Sequence, residues 1–195
     1  MRKTLILCFG LGVTVLASAG ERAALWPEGK IPDFQPQQIA ATTEEVKAPG
    51  FKAAEHVMPY LDWYEAPAAK NGACMLLISG GGYQSCCDGV WIDWVAKKFT
   101  ELGFVCVSLT YRTPRPQGLP IYRSAWQDGQ RAVRLVRSEA QKRGFDLEKI
   151  GAFGFSAGSH LTVLLATSAL TPAYGPVDTL DGLLCHVNWA VPIYT

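Results

Sequence analysis

Four short apolar runs constrain the fold of this 195-residue chain more than any other feature of its sequence. They cover residues 75–78, 104–109, 150–153 and 187–194, and within each run apolar side chains follow one another without polar alternation. Continuous apolarity is typical of strands that are buried on both faces, as in a parallel sheet. A further aromatic-rich stretch, 57–65, predicts an earlier strand, whereas residues 20–50 predict an irregular N-terminal arm punctuated by prolines.

Helical periodicity separates these runs. Apolar residues recur every three or four positions in a first segment that ends at Gly103 and in a second that ends at Gly144. The residues of the two stripes are Trp91, Val95, Phe99 and Leu102, then Trp126, Gly129, Val133, Val136 and Ala140. A third helix is indicated by Leu161, Leu164 and Leu165. Alternating strands and helices predict an α/β fold, a three-layer αβα sandwich with a mostly parallel sheet.

Three arginines on the second predicted helix, Arg131, Arg134 and Arg137, form a basic cluster. We interpret them as the solvated outer face of an amphipathic helix. The whole chain has 18 basic and 17 acidic residues, a net charge of +1. That balance argues against a nucleic-acid partner recognised through bulk electrostatics.

The N-terminus has the pattern of a signal peptide over residues 1–19. Arg2 and Lys3 precede an apolar segment, 5–16, which is followed by Ala17-Ser18-Ala19. As a helix that segment would measure about 18 Å, short of the roughly 30 Å hydrocarbon core of a bilayer. We therefore expect cleavage, no stable membrane anchor, and a secreted or periplasmic domain over 20–195, with an uncleaved anchor as the alternative.

Five of the six cysteines lie beyond the predicted signal peptide. Cys74 and Cys106 sit in apolar runs and are expected to be buried. Cys86 and Cys87 lack both the paired C-x-x-C spacing and the neighbouring histidine of a zinc site. The sequence predicts no metal site and implies no cofactor.

The motif Gly154-Phe155-Ser156-Ala157-Gly158 follows the third apolar run and opens the third predicted helix. A G-x-S-x-G sequence between strand and helix is the setting of a nucleophile elbow, in which a strained turn exposes the serine hydroxyl. We therefore predict that Ser156 is a nucleophile at the carboxyl end of the sheet, near the positive end of a helix dipole.

A second motif, Ser79-Gly80-Gly81-Gly82-Tyr83, directly follows the first apolar run. Its glycines allow backbone N–H groups to face a developing oxyanion, as acyl transfer requires. The alternatives are a flexible turn or a phosphate loop, but no G-K-[ST] or G-x-G-x-x-G pattern is present.

Together these motifs, with Leu109-Thr110-Tyr111-Arg112 between them, resemble the α/β-hydrolase superfamily esterases. The similarity is greatest to the hormone-sensitive-lipase-like and acetylxylan-esterase-like groups, and it extends over residues 25–195. The resemblance implies a serine esterase acting through an acyl-Ser156 intermediate. Its oxyanion hole would comprise Gly81, Gly82 and Ala157. It also implies small-molecule or polysaccharide esters as substrates, acetyl or aromatic esters of plant polysaccharide among them. Many relatives have histidine where this chain has Ser79.

The triad acid and histidine are not identified in this chain. In this fold they follow the serine, after late strands, whereas Ser156 stands near the end of the sequence. His160 is expected to be packed and hydrogen-bonded, His186 to open the last strand, and Asp178 and Asp181 to be solvated or turn residues. We therefore expect an incomplete domain whose C-terminal strands are missing. The alternatives to an active esterase are a catalytically incomplete fragment or a ligand-binding pseudoenzyme, and peptidase activity on the same fold.

Overall fold

The computed structural model describes residues 20–35, 58–66, 70–87 and 90–194. The strands are β1 Glu21–Ala24, β2 Tyr60–Tyr64, β3 Cys74–Ile78, β4 Val105–Thr110, β5 Ile150–Phe155 and β6 Trp189–Ile193. The helices are α1 Val90–Glu101, α2 Arg123–Arg143 and α3 Ala157–Thr167, with a short 3-10 helix at Thr179–Gly182. The predicted signal peptide, residues 1–19, lies outside the described residues.

The strands form one mixed sheet in the order β1-β2-β4-β3-β5-β6. The four strands β4, β3, β5 and β6 are parallel to one another, whereas β1 and β2 join the β4 edge antiparallel. The predicted mostly parallel sheet is therefore confirmed. The prediction that residues 20–50 begin irregularly was wrong at residues 21–24. Residues 21–24 form strand β1, which is mostly exposed. Its sequence has no apolar pattern, since its pairing with β2 depends on backbone hydrogen bonds.

Helices cover both faces of the sheet. Along β3, Leu76 and Ile78 face a core shared with α2 and α3, whereas Met75 and Leu77 face α1. The alternation of side chains along a strand sends successive residues to opposite faces, so a fully apolar strand is required. This arrangement confirms the three-layer αβα sandwich.

Helix α1 is present, but its predicted buried stripe was partly wrong. Trp91 and Leu102 are 71% and 66% exposed, while Ile92, Val95 and Ala96 are buried against the sheet. Because Trp91 and Ile92 are adjacent and both apolar, periodicity alone could not fix which of them turns inward.

The interpretation of the α2 arginines as a solvated face was also wrong. Arg131 and Arg137 are 2% and 8% exposed. The two guanidinium nitrogens of Arg131 donate to Asp178 at 2.7 and 2.6 Å, and this hydrogen bonding holds the pKa of Asp178 below its ordinary value. The segment after α3 covers this face of the helix, a long-range contact that helical periodicity does not reveal.

Asp178 and Asp181 were expected to be solvated or turn residues. Asp178 is a turn residue, since its side chain accepts from the Leu180 N–H at the start of the 3-10 helix. The side chain of Asp181, however, is only 3% exposed rather than solvated, and its carboxylate accepts hydrogen bonds from the Tyr174 hydroxyl and the Val177 N–H.

A fully buried ion pair between Arg112 and Asp128 joins β4 to α2. The Arg112 Nε donates to both carboxylate oxygens of Asp128 at 3.0 Å, and the Arg112 backbone N–H donates to Oδ2 at 2.8 Å. Trp26 Nε1 donates to the same carboxylate at 2.8 Å, and the Arg112 guanidinium donates to the Pro32 carbonyl at 2.6 Å. The N-terminal segment is thereby tied to the centre of the domain.

Cys74 and Cys106 are buried and unbridged, as expected for small apolar side chains. Within the described part of the chain, none of the helices is both long enough and apolar enough to cross a membrane.

The Arg112–Asp128 pair gives a stability prediction. Asp128→Asn keeps the side-chain shape but leaves the buried guanidinium without its counter-charge, so it is expected to cost about 3–5 kcal/mol. The matched control is Glu101→Gln, which removes an exposed pair with Lys98 and is expected to cost about 0–1 kcal/mol. Urea unfolding of the three proteins measures both effects, and equal losses in the two variants would contradict the prediction.

Candidate active site

The carboxyl ends of β3 and β5 bring the two glycine motifs together. These strands are parallel neighbours, with Ile78 in register with Gly154. Gly80 consequently lies against the turn at Ser156, where an added Cβ would be 3.0 Å from the Phe155 carbonyl oxygen and 3.1 Å from the Ser156 Cβ. The structure thus places the loop bearing Gly81 and Gly82 beside the turn bearing Ser156 and Ala157.

Ser156 occupies the single residue between β5 and α3 and has φ 50° and ψ −119°. A non-glycine residue in such a conformation costs on the order of 1–3 kcal/mol and persists only where the surroundings enforce it. Two backbone hydrogen bonds hold Ser156 in this conformation. The Ser156 N–H donates to the Ile193 carbonyl of β6 at 3.1 Å, and the Ser156 carbonyl accepts from the His160 N–H at 3.1 Å.

Close backbone approach explains the glycines that flank Ser156. A Cβ on Gly154 would overlap the Gly158 carbonyl and the Thr162 hydroxyl. A Cβ on Gly158 would overlap the carbonyls of Ile78 and Ser79. Strand β5, helix α3 and the end of β3 therefore meet with no room for side chains, and this packing fixes the turn between them.

The glycine-rich loop after β3 turns sharply in the left-handed region. Gly81, Gly82 and Tyr83 have φ of 129°, 61° and 61°. The Gly81 carbonyl accepts from the N–H groups of Gln84 and Ser85, and the Gly80 carbonyl accepts from that of Cys87. The loop thus uses its carbonyls for internal hydrogen bonds. Ala157, as the first residue of α3, has an N–H group without an intrahelical partner.

Two aromatic side chains, Tyr83 and Tyr111, support this loop. The Tyr111 hydroxyl donates to the carbonyls of Ser79 and Gly80 at 3.1 and 3.4 Å. Tyr83 packs edge-to-face on Tyr111 with ring centroids 5.8 Å apart. Burial raises the pKa of both phenols, so both hydroxyls remain protonated. In the sequence analysis both tyrosines were only members of motifs. The available signal was the position of Tyr111 directly after β4 and of Tyr83 directly after the three glycines.

Both histidines in the described residues have partners other than Ser156. His160 Nδ1 is 2.8 Å from the Tyr83 hydroxyl, which confirms the expected packed and hydrogen-bonded role. His186 precedes β6, and its carbonyl oxygen and Nε2 lie 2.8 and 3.2 Å from Arg137 Nη2. His56 lies outside the described residues. The sequence analysis assigned no residue of this chain as the triad acid or the triad histidine, and that stays a prediction.

Known proteins are similar in sequence to parts of this chain. The BD-FAE family profile matches residues 61–181. Endo-1,4-beta-xylanase B of Butyrivibrio fibrisolvens is 39% identical over 93 residues, 48% of this chain and 14% of that protein. Esterase LipQ of Mycobacterium tuberculosis is 37% identical over 84 residues, 40% of this chain and 18% of that protein.

Solved structures show the same architecture. An acetyl ester-xyloside bifunctional hydrolase from Caldicellulosiruptor lactoaceticus superposes with a TM-score of 0.65 at 25% identity, over 91% of this chain and 57% of that one. The esterase Est2 of Thermogutta terrifontis superposes with a TM-score of 0.59 at 24% identity, over 73% and 52% of the two chains, and shows the fold alone. This chain therefore spans little more than half of the similar structures and less than a fifth of the curated relatives.

The family match extends over more than half of the chain and includes both glycine motifs, and the observed sheet and helices agree with the esterase structures. The chain belongs to the BD-FAE family and has the α/β-hydrolase fold.

Proposed function

We propose that this chain carries the nucleophile half of a serine esterase active site, with Ser156 as the nucleophile. The observation that carries the proposal is the positive φ of Ser156 at a strand-to-helix turn packed against a glycine-rich loop. Strained residues of this kind concentrate at active sites, and a G-x-S-x-G turn in this context is the setting of an activated serine. The names of the relatives, an esterase and an acetyl ester hydrolase, support the same chemistry.

In the proposed reaction the Ser156 Oγ attacks the ester carbonyl carbon and gives up its proton to a general base. The N–H groups of Gly81, Gly82 and Ala157 stabilise the negative charge that develops on the carbonyl oxygen. Collapse of the tetrahedral intermediate breaks the bond to the alkoxy oxygen, which leaves as the alcohol with that proton. Water then cleaves the acyl-Ser156 ester and releases the carboxylic acid.

The general base and its orienting carboxylate are not assigned to any residue of this chain. His160 and His186, the two histidines in the described residues, are engaged with Tyr83 and Arg137. This engagement favours a second candidate, a catalytically incomplete fragment or a pseudoenzyme that binds esters without turning them over. Reactivity of the serine distinguishes the two.

The proposed substrates are carboxylic esters, and acetyl or aromatic esters of plant polysaccharide in particular. This proposal is supported by the xylanase and the acetyl ester-xyloside hydrolase among the relatives. The chemistry needs no cofactor, since the serine and the backbone amides supply the nucleophile and the electrophilic assistance. Residues 20–195 would constitute the exported domain, secreted or periplasmic, after removal of 1–19.

The first test is covalent labelling. A fluorophosphonate probe is expected to modify Ser156 of the purified chain and to leave the Ser156→Ala variant unmodified. Ser159→Ala serves as the matched control, because Ser159 lies on the same helix but is fully buried. Mass spectrometry of the labelled peptide locates the adduct. Labelling of Ser156→Ala to the wild-type extent would contradict the nucleophile assignment, and absence of labelling in all three proteins would favour the incomplete-fragment alternative.

The second test concerns the substrate. The active-esterase proposal predicts that the wild-type chain, incubated with acetylated xylan, releases acetate at least about 100-fold faster than Ser156→Ala, because removal of the nucleophile abolishes the acyl-enzyme route. Equal release by the two proteins would favour the incomplete-fragment candidate. Acetate is quantified by a coupled assay. Turnover of p-nitrophenyl acetate without acetate release from xylan would keep the esterase and overturn the polysaccharide substrate.

The third test concerns export. Expression of the full sequence in a Gram-negative host is expected to give a periplasmic product whose N-terminal residue is Gly20, because Ala17-Ser18-Ala19 matches the specificity of signal peptidase. N-terminal sequencing checks the result. Ala19→Arg is expected to block cleavage, and a membrane-bound wild-type product that retains residues 1–19 would establish the uncleaved-anchor alternative.

A further inference from the structure

Tyr83 bridges the glycine loop and helix α3. Its backbone directly follows Gly82 and has a φ of 61°, so the loop's conformation extends through this residue. Its side chain is buried, and its hydroxyl reaches His160 Nδ1 at 2.8 Å. Because this is a contact between residues 77 positions apart, it fixes two separate elements relative to each other.

His160 is held firmly on its own side of this contact. It lies in the first turn of α3, and its backbone N–H donates to the carbonyl of Ser156. Its imidazole packs edge-to-face against Tyr122, with ring centroids 5.4 Å apart. The ring therefore moves with the beginning of α3, where both Ser156 and the Ala157 N–H are located.

The contact between Tyr83 and His160 is a hydrogen bond of 2.8 Å between the phenol oxygen and Nδ1. A phenol hydroxyl can donate to an unprotonated Nδ1 or accept from a protonated one, so either tautomer of the imidazole can form it. In both cases the bond requires a hydrogen-bonding atom at the Nδ1 position of residue 160.

We propose that Tyr83 and His160 are positioning residues that hold the two halves of the oxyanion hole at a fixed separation. The amides of Gly81 and Gly82 come from the loop that Tyr83 anchors, whereas the amide of Ala157 comes from the helix that His160 anchors. The proposal rests on the proposed function of Ser156. A displacement of about 1 Å between such groups can cost on the order of 100-fold in rate.

The packing of the Tyr83 ring allows the positioning role of its hydroxyl to be tested without unfolding the loop. In Tyr83→Phe the ring keeps its place on Tyr111, whose hydroxyl holds the loop through the carbonyls of Ser79 and Gly80. Loss of the Tyr83 hydroxyl therefore leaves the loop folded but removes its hydrogen bond to His160 on α3. The expected consequence is a change in rate at nearly unchanged substrate affinity.

The kinetic test uses p-nitrophenyl acetate and four variants of the full chain. Tyr83→Phe and His160→Leu are each expected to lower kcat about 10-fold, with KM within about twofold of wild type. The double variant is expected to be no slower than either single variant, because both remove the same interaction. His160→Asn is expected to retain kcat within about threefold, since its amide oxygen takes the position of Nδ1.

A readout independent of turnover is hydrogen exchange of the backbone amides of residues 79–87. Exchange is expected to be about fivefold faster in Tyr83→Phe and His160→Leu than in wild type. Tyr174→Phe is the matched control, because it removes another partly buried tyrosine hydroxyl, one that donates to Asp181 in the segment after α3. It is expected to lower Tm while leaving both kcat and loop exchange unchanged.

Several results would overturn the proposal: wild-type kcat and loop exchange in Tyr83→Phe and His160→Leu, additive losses in the double variant, or a His160→Asn variant as slow as His160→Leu. If wild-type turnover equals that of Ser156→Ala, the proposed function fails, and hydrogen exchange alone decides. In that case faster loop exchange in the two variants supports the fastening of the loop to α3, and unchanged exchange refutes it.

Discussion

The buried carboxylate of Asp128 joins three segments of the domain: helix α2, the residues after β4 and the N-terminal segment. It lies on α2 and accepts hydrogen bonds from the backbone N–H and the Nε of Arg112, just after β4, and from Nε1 of Trp26 in the N-terminal segment. A carboxylate that is removed from water is stable only while its hydrogen-bond partners are in place. A shift of any of these segments would leave the buried charge without a partner, at a large cost in the free energy of folding. Helix α2 also presents Arg131 to Asp178, which anchors the segment after α3. Two guanidinium–carboxylate contacts on one helix thus hold together elements that are far apart in sequence.

On this frame the candidate site depends on the absence of side chains. Glycines at 80, 154 and 158 let two strand ends and a helix touch through their backbones. Interiors packed at crystal-like density transmit small displacements rather than absorbing them. The strained conformation of Ser156 is therefore stabilised by contacts from β3, β5 and β6 together. The aromatic pair Tyr83 and Tyr111 extends the same support to the glycine-rich loop, which has no regular secondary structure of its own.

The order of strands and helices, the layers and the strand–turn–helix position of Ser156 could be predicted from sequence because each depends on local periodicity or on a contiguous motif. The errors at strand β1 and at the α2 arginines have the same physical origin. Strand β1 pairs through its backbone, and Arg131 and Arg137 are buried by a segment some 50 residues away. Neither effect leaves a local pattern. The error at Trp91 has a different origin, because two adjacent residues are both apolar and periodicity does not show which of them is buried. The hydrogen bond between Tyr83 and His160 is likewise a tertiary contact that leaves no local pattern. The four-residue spacing between Ser156 and His160 indicated only that His160 lies close to Ser156.

The hydrogen bond from the Ser156 N–H to the Ile193 carbonyl has a consequence for the order of biosynthesis. During translation, Ser156 and the glycine loop leave the ribosome well before strand β6 does. The serine turn can form only part of its hydrogen bonding until residues 189–193 have emerged and paired with β5. A nascent chain that stops short of this strand lacks the hydrogen bond from the Ser156 N–H to the Ile193 carbonyl. The backbone conformation of the serine turn is therefore completed only after residues 189–193 have been synthesised.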